Sequence, residues 1–237
     1  MSPRVVALLV VLAGAVVWLQ VLHARGGGPP GAAAANMLYV RSPEAARRLA
    51  LSYDALVADV YWIRAVQHYG STKLSSDPNK QYDLLYPLLD LTTSLDPRFS
   101  VAYSFGAIFL AEPPPRGPGR PDLAIALLEK GLRAQPRNWE LAQSIGFVHY
   151  WWRQDYVQAA AWFARAAEFP SAPDWMAPLA ARTLAQGGRR ESARVLWQHI
   201  ARESDSQWFR DEAVRQLRLL DATDGRDVLA PDAAGPR

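Results

Sequence analysis

Four histidines, His23, His68, His149 and His199, are the side chains most able to hold a metal or move a proton near neutral pH, and no two of them lie at ligand spacing. Cysteine is absent, which excludes disulfides, thiolate metal sites, iron–sulfur clusters and cysteine nucleophiles, and leaves oxidising and reducing compartments equally open. The spaced motifs HExxH, GxxxxGK[ST] and GxSxG do not occur. A catalytic pair would have to be assembled by the fold, for instance from His149 and Asp155. A histidine on a helix is more often packed or solvated, so the expectation is a chain that is not an enzyme, with no cofactor and no metal.

Recognition chemistry is better represented. Asp59 lies inside the apolar stretch LVADVYWI, where a buried carboxylate would need a cation or backbone donors. Arg64 is five residues on, off the i+4 spacing, so Arg47 or Arg48 is an equal candidate; a structural ion pair or cap is the simpler reading, a binding role the alternative. The segment from Asp59 to Tyr69 concentrates aromatic and polar groups, with Tyr61, Arg64 and His68 as candidate partner contacts. A second concentration joins Phe147, Tyr150, Trp151 and Trp152 with Trp162 and Phe163. Tyrosine and tryptophan supply much contact area at low entropic cost, so these could anchor a partner, although core packing accounts for many of them as well.

The elements carrying these residues read as helices. From Ser42 onward apolar residues recur at three- and four-residue spacing between proline-rich breaks, and no convincing alternating stretch is flanked by hairpin turns. Ser42-Pro43 supplies an N-cap and a first-turn proline, with Leu49, Leu56, Val60, Ile63 and Val66 carrying an apolar face onward until Gly70 and the polar run 71–80. The array has a period. Ala124, Ala159 and Ala193 are separated by 35 and 34 residues, and Leu128, Phe163, Trp197 and Gly131, Ala166, Ile200 keep the same intervals. An earlier copy, Leu85, Leu89 and Thr92, is displaced by 39; the extra residues fall in Glu112 to Pro121, which no helix could contain. Within each trio the spacing of four and then three places all members on one helix face.

This pattern of small residue, bulky residue, third residue and closing proline at Pro97 and Pro136 resembles the tetratricopeptide repeat family, whose unit is a helix pair of about 34 residues. The resemblance covers roughly residues 81 to 201. It implies an all-α solenoid of about four degenerate repeats and places Ile145-Gly146 and Gly106-Ala107 where glycine lets paired helices approach closely. It also maps Glu140, Gln143, Phe147, Tyr150 and Trp151 onto groove-facing positions. Trp139 and Trp175 miss the family's first tryptophan position, Pro170 comes one place early, and the first and last units match only in their second helix. The polar clamp by which some members hold an acidic C-terminal carboxylate is missing, since Gln143, Phe147, Ser104 and Ile108 stand in its place. Residues 206–221 suit a polar-faced closing helix and 222–237 a disordered tail.

The chain has 237 residues, 50% hydrophobic and 21% charged, with net charge +3. Residues 5–22 hold 16 apolar side chains and no charge, and removing them brings the remainder to about 47%, an ordinary globular composition. At 1.5 Å per residue these 18 positions reach roughly 27 Å, enough for a minimal membrane span. A cleaved signal peptide fits less well, because Leu22-His23-Ala24 is bulky where a small residue is wanted and Ala33-Ala34-Ala35 lies far beyond the apolar core; a buried helix is the remaining reading. Arg4 and the amino terminus balance Arg25 and Arg41, so charge does not orient the span. The working orientation leaves the amino end in the cytoplasm and the domain outside, in a periplasm if the source is a bacterial inner membrane. Residues 24–41 form a Gly/Pro/Ala tether.

The basic clusters Arg47-Arg48 and Arg189-Arg190 are too short for a nucleic-acid surface, and a pI near 9.3 rests on three surplus charges. The expected function is a membrane-tethered protein-interaction scaffold or assembly adaptor. The alternative is an accessory or structural subunit of a membrane enzyme or of a secretion or pilus-type complex. Partner identity is not encoded legibly, and self-association is left open.

Overall fold

The computed structural model describes residues 11–18, 21 and 42–229, with side chains placed as far as residue 222. The chain divides into two units, Met1–Tyr39 and Val40–Arg237. In the first, the described residues are helical and exposed, with Val11, Leu12, Val16, Val17 and Trp18 each more than half accessible. Among the described residues no helix is long and apolar enough to cross a membrane. The rest of the expected span Val5–Leu22 and the tether 24–41 lie outside those residues.

The second unit is all-α, with no strand among the described residues. In order, its helices are α1 (Pro43–Ala50), α2 (Asp54–Leu74), α3 (Leu85–Leu95), α4 (Ser100–Ala111), α5 (Pro121–Ala134), α6 (Trp139–Phe147), α7 (Tyr156–Ala167), α8 (Met176–Gln186), α9 (Arg190–Glu203) and α10 (Gln207–Leu229). Local chemistry sets several boundaries. Ser42 Oγ accepts from the Ala45 amide at 3.2 Å with Pro43 behind it, as the sequence predicts. Asn138 caps α6 and Asp155 caps α7 in the same way, at 3.1 and 3.0 Å. The proline-rich segment between α4 and α5 folds back on itself, Arg120 N–H donating to the Leu110 carbonyl at 2.7 Å.

Each helix packs on its sequence neighbour, and the repeating trios explain how. All twelve residues from Leu85 to Ile200 in those trios are buried, and they fall on α3, α5, α7 and α9, every second helix. The intervening helices α2, α4, α6 and α8 complete four pairs, so the first pair has the first helix that the sequence pattern did not reveal. Two glycines set the spacing within this core. A Cβ at Gly146 would lie 2.4 Å from the Phe163 ring, and one at Gly106 would lie 2.8 Å from Leu89. Polar ties then join alternate helices. Lys73 of α2 reaches Glu112 at the end of α4 at 2.7 Å, and Lys130 of α5 reaches Asp90 of α3 at 2.7 Å. Tyr150 donates to Gln186 at the end of α8 at 2.9 Å, and Arg182 of α8 meets Glu212 of α10 at 2.5 Å.

Several expectations are corrected. The apolar run Leu49, Leu56, Val60, Ile63 and Val66 does not face the core; these side chains are 69, 61, 41, 53 and 38% exposed. The buried side of α2 is Ala58, Tyr61, Ala65, His68 and Tyr69. The stretch 42–70, for which the sequence allows a helix or a pair, is a pair, broken where Leu51 and Ser52 take positive φ; its second helix passes the expected stop at Gly70 and ends at Leu74. Asp59 is exposed and forms no ion pair among the described residues, so the cap or ion-pair reading fails: at the surface its charge needs no partner. The closing helix runs past Asp221 to Leu229, into the expected tail. Its outer face carries Trp208, Val214 and Leu219, each at least 41% exposed, and is less polar than expected. Residues 230–237 lie outside the described residues.

Candidate functional site

The first helices of the second and third pairs leave an apolar pocket of about 270 Å³ between them. Ala107 and Ile108 come from α4, and Phe147, Val148, Trp151 and Trp152 from α6 and its continuation; Ser104 and Ser144 are the polar residues of the lining. No charged side chain lines it. Its surface is apolar apart from the hydroxyls of Ser104 and Ser144.

Local structure explains why these aromatics converge. Over Val148–Arg153 the helix widens to a π-helical turn, closed by Gln154 in the left-handed conformation at φ 52°. Widening changes the angular step per residue, which redirects the side chains from Val148 onward relative to a regular helix. Phe147 is held edge-on by the buried Phe163 ring at 5.1 Å. Tyr150 is clasped edge-on by Trp151 at 5.0 Å and Tyr156 at 5.2 Å, with its hydroxyl on Gln186. Trp151 is left 63% exposed on a supported backbone, with its neighbours already ordered.

The structure therefore brings together part of the expected set. Phe147 and Trp151 line the pocket and Tyr150 braces Trp151. Gln143 is half-buried earlier on α6, and Glu140 lines a separate open depression with Arg98 and Arg137. Tyr61 and His68 are 4 and 5% exposed, buried in the packing of α2, and neither can reach a partner as expected. Arg64 lies over the Tyr61 ring at 5.3 Å. The aromatic surplus of this segment is largely structural: Trp62 and Tyr69 stack on Phe109 of α4 at 6.0 and 4.2 Å. Ile108 and the partly exposed Val101 and Phe105 were not recognised as one stripe. Their i, i+4, i+7 spacing on a helix already apolar on its buried side is the signal that could have revealed them.

Titration chemistry is sparse here. His68 and His149 are buried and burial lowers both pKa values, opposed at His68 by Asp83 and reinforced at His149 by Arg153, so both imidazoles are neutral near pH 7. His68 Nε2 and His149 Nδ1 have no hydrogen-bond partner among the described residues. Asp155 does not orient His149 through its carboxylate, which caps α7; its amide donates to the His149 carbonyl at 3.0 Å. No group of three histidine or carboxylate side chains among the described residues is placed to hold a metal ion.

Comparisons with protein-family models, with curated proteins and with solved structures each return no match.

Proposed function

We propose that this chain is a membrane-tethered, tetratricopeptide-like helical array that holds a protein partner through the pocket between α4 and α6. The observation that carries the reading is the pairing of an uncharged 270 Å³ pocket with a braced, 63% exposed Trp151 at its wall. An exposed tryptophan set among half-buried aromatics beside an apolar cavity is the composition of a binding hot spot, and a leucine or aromatic side chain of a partner is the group that fits there. Four helix pairs, alternate burial of the repeating trios and the glycine contacts at Gly106 and Gly146 support the solenoid. The uncharged run 5–22, with its described part helical and solvent-facing, supports the membrane tether, and the working orientation places the second unit outside the cytoplasm.

The test is capture from native membranes. Partner crosslinked to the wild-type chain and identified by mass spectrometry is expected to be lost in a Tyr150→Ala, Trp151→Ala double variant whose helical circular dichroism is intact. Unchanged capture by that variant rules out this groove.

A further inference from the structure

Helix α2 is apolar on two sides, and the described part of the chain uses one. On the outward side Leu56, Val60, Ile63 and Leu74 are 61, 41, 53 and 86% exposed. Together with Tyr53, Gln67 and Gly70 they recur in steps of three and four from residue 53 to residue 74, the seven-residue period of a coiled-coil seam. Tyr53, Val60, Gln67 and Leu74 occupy the first core position of that period, and Leu56, Ile63 and Gly70 the fourth. A β-branched residue at the first and leucine at the fourth is the arrangement that favours two parallel strands; Val60 and Leu56 supply it, and Ile63 continues the seam.

The flanking charges identify the occupant. Asp59 immediately precedes one core position and Arg64 immediately follows the next. Five residues is the wrong interval for pairing along one helix. Across a parallel two-stranded seam it is the interval at which these flanking positions of opposite strands meet. Asp59 has no ion pair of its own among the described residues. Arg64 rests on Tyr61, and a guanidinium with five N–H donors can serve a second acceptor as well. A lipid surface would instead ask for basic residues along the edges of the stripe, where Asp59 stands.

We infer that two copies of this chain pair through parallel α2 helices, Val60 and Ile63 each facing their own counterpart and Asp59 of each copy reaching Arg64 of the other. Gln67 amides opposite one another hold the register, as a polar core residue does at some cost in stability. Parallel pairing puts the amino ends of both α2 helices at one end, an arrangement compatible with two chains held on one membrane, a point that rests on the tether proposed above. The tight seam is about two heptads, so co-confinement on one membrane supplies the effective concentration that a short coil lacks. The inference is independent of the α4–α6 groove, and variants of Trp151 leave it untouched.

The natural absence of cysteine makes the test direct. Full-length chains carrying Val60→Cys, Ile63→Cys or, as control, Ala161→Cys on the exposed side of α7 are reconstituted in liposomes and oxidised. Disulfide-linked dimers are expected at 60 and 63 and not at 161. A further Asp59→Arg change should lower the yield at 63 at least about fivefold, and adding Arg64→Asp should restore it. No dimer at 60 or 63 with intact circular dichroism overturns the proposal, as does equal linkage at all three positions. Linkage only when Val60→Cys and Ile63→Cys chains are mixed would show antiparallel pairing and also overturn it. Thiols at 60 and 63 shielded by lipid without dimer formation would assign the stripe to the membrane.

Discussion

Replacing Gly146 by alanine tests the packing that the repeat imposes. Alanine is the better helix former by about 1 kcal/mol, so an exposed glycine in a helix is stabilised by this change. Gly146 is not exposed: an added Cβ would sit 2.4 and 2.5 Å from two atoms of the Phe163 ring, about 1 Å inside ordinary contact. The ring cannot easily give way, being fully buried and packed edge-on against Phe147 at 5.1 Å. Overpacking of a tight core costs about 1–3 kcal/mol, at the upper end for a contact this close, so a net loss of about 1–2 kcal/mol is expected after the propensity gain. Urea unfolding followed by circular dichroism measures it. The same experiment on Gly70→Ala, where an added Cβ meets nothing within 4 Å, should show a gain of up to about 1 kcal/mol. Shrinking the obstacle with Phe163→Leu should make Gly146→Ala nearly harmless, a coupling of about 1 kcal/mol or more between the two sites. A stabilised Gly146→Ala, or additive effects with Phe163→Leu, would refute the close approach of α6 and α7.

Truncating Phe163 itself to alanine should cost about 3–5 kcal/mol by urea titration, since its ring is fully buried and the Gly146 wall cannot collapse into the space. Trp151→Ala, at a 63% exposed site, should change stability by less than about 0.5 kcal/mol while weakening partner binding at least about tenfold, as read by titration of the isolated partner. Glu212 is held at a pKa of about 2, below its ordinary 4.5, by hydrogen bonds first from Gln216 and then from Arg215 and Arg182. A depressed carboxylate contributes stability that is complete above pH 4.5 and is lost as the pH falls towards 2. Arg182 and Arg215 are 53 and 55% exposed, so screening holds the contribution to about 1–2 kcal/mol. Glu212→Gln should therefore flatten the acid limb of the stability profile by that amount and leave the profile above it parallel to wild type.

The second helices of the pairs were legible because their burial is periodic. A small residue, a bulky one four later and a third after three more is a one-sided pattern, and all twelve positions are buried. Helix α2 was misread for the opposite reason. With Leu56, Val60 and Ile63 on one side and Ala58, Tyr61 and Ala65 on the other, hydrophobicity cannot say which side turns inward. The stacking of Trp62 and Tyr69 on Phe109 decides it, and those contacts span 47 and 40 residues of sequence. The candidate groove was half legible. Phe147 and Trp151 followed from the resemblance to the repeat family, whereas the π-helical turn that redirects Val148 to Arg153 has no local signature, and Ile108 was weighed only as a missing clamp residue.

The central claim is that the α4–α6 pocket seats a protein partner at the membrane. A photo-crosslinking amino acid placed in turn at positions 108, 151 and 161, in full-length chains in native membranes, tests it most directly. One and the same polypeptide is expected to be captured from 108 and 151, with none from 161 on the exposed side of α7, and the adduct at 108 should vanish when Trp151→Ala is added. No adduct at 108 and 151, or equal adducts at all three positions, would contradict the account.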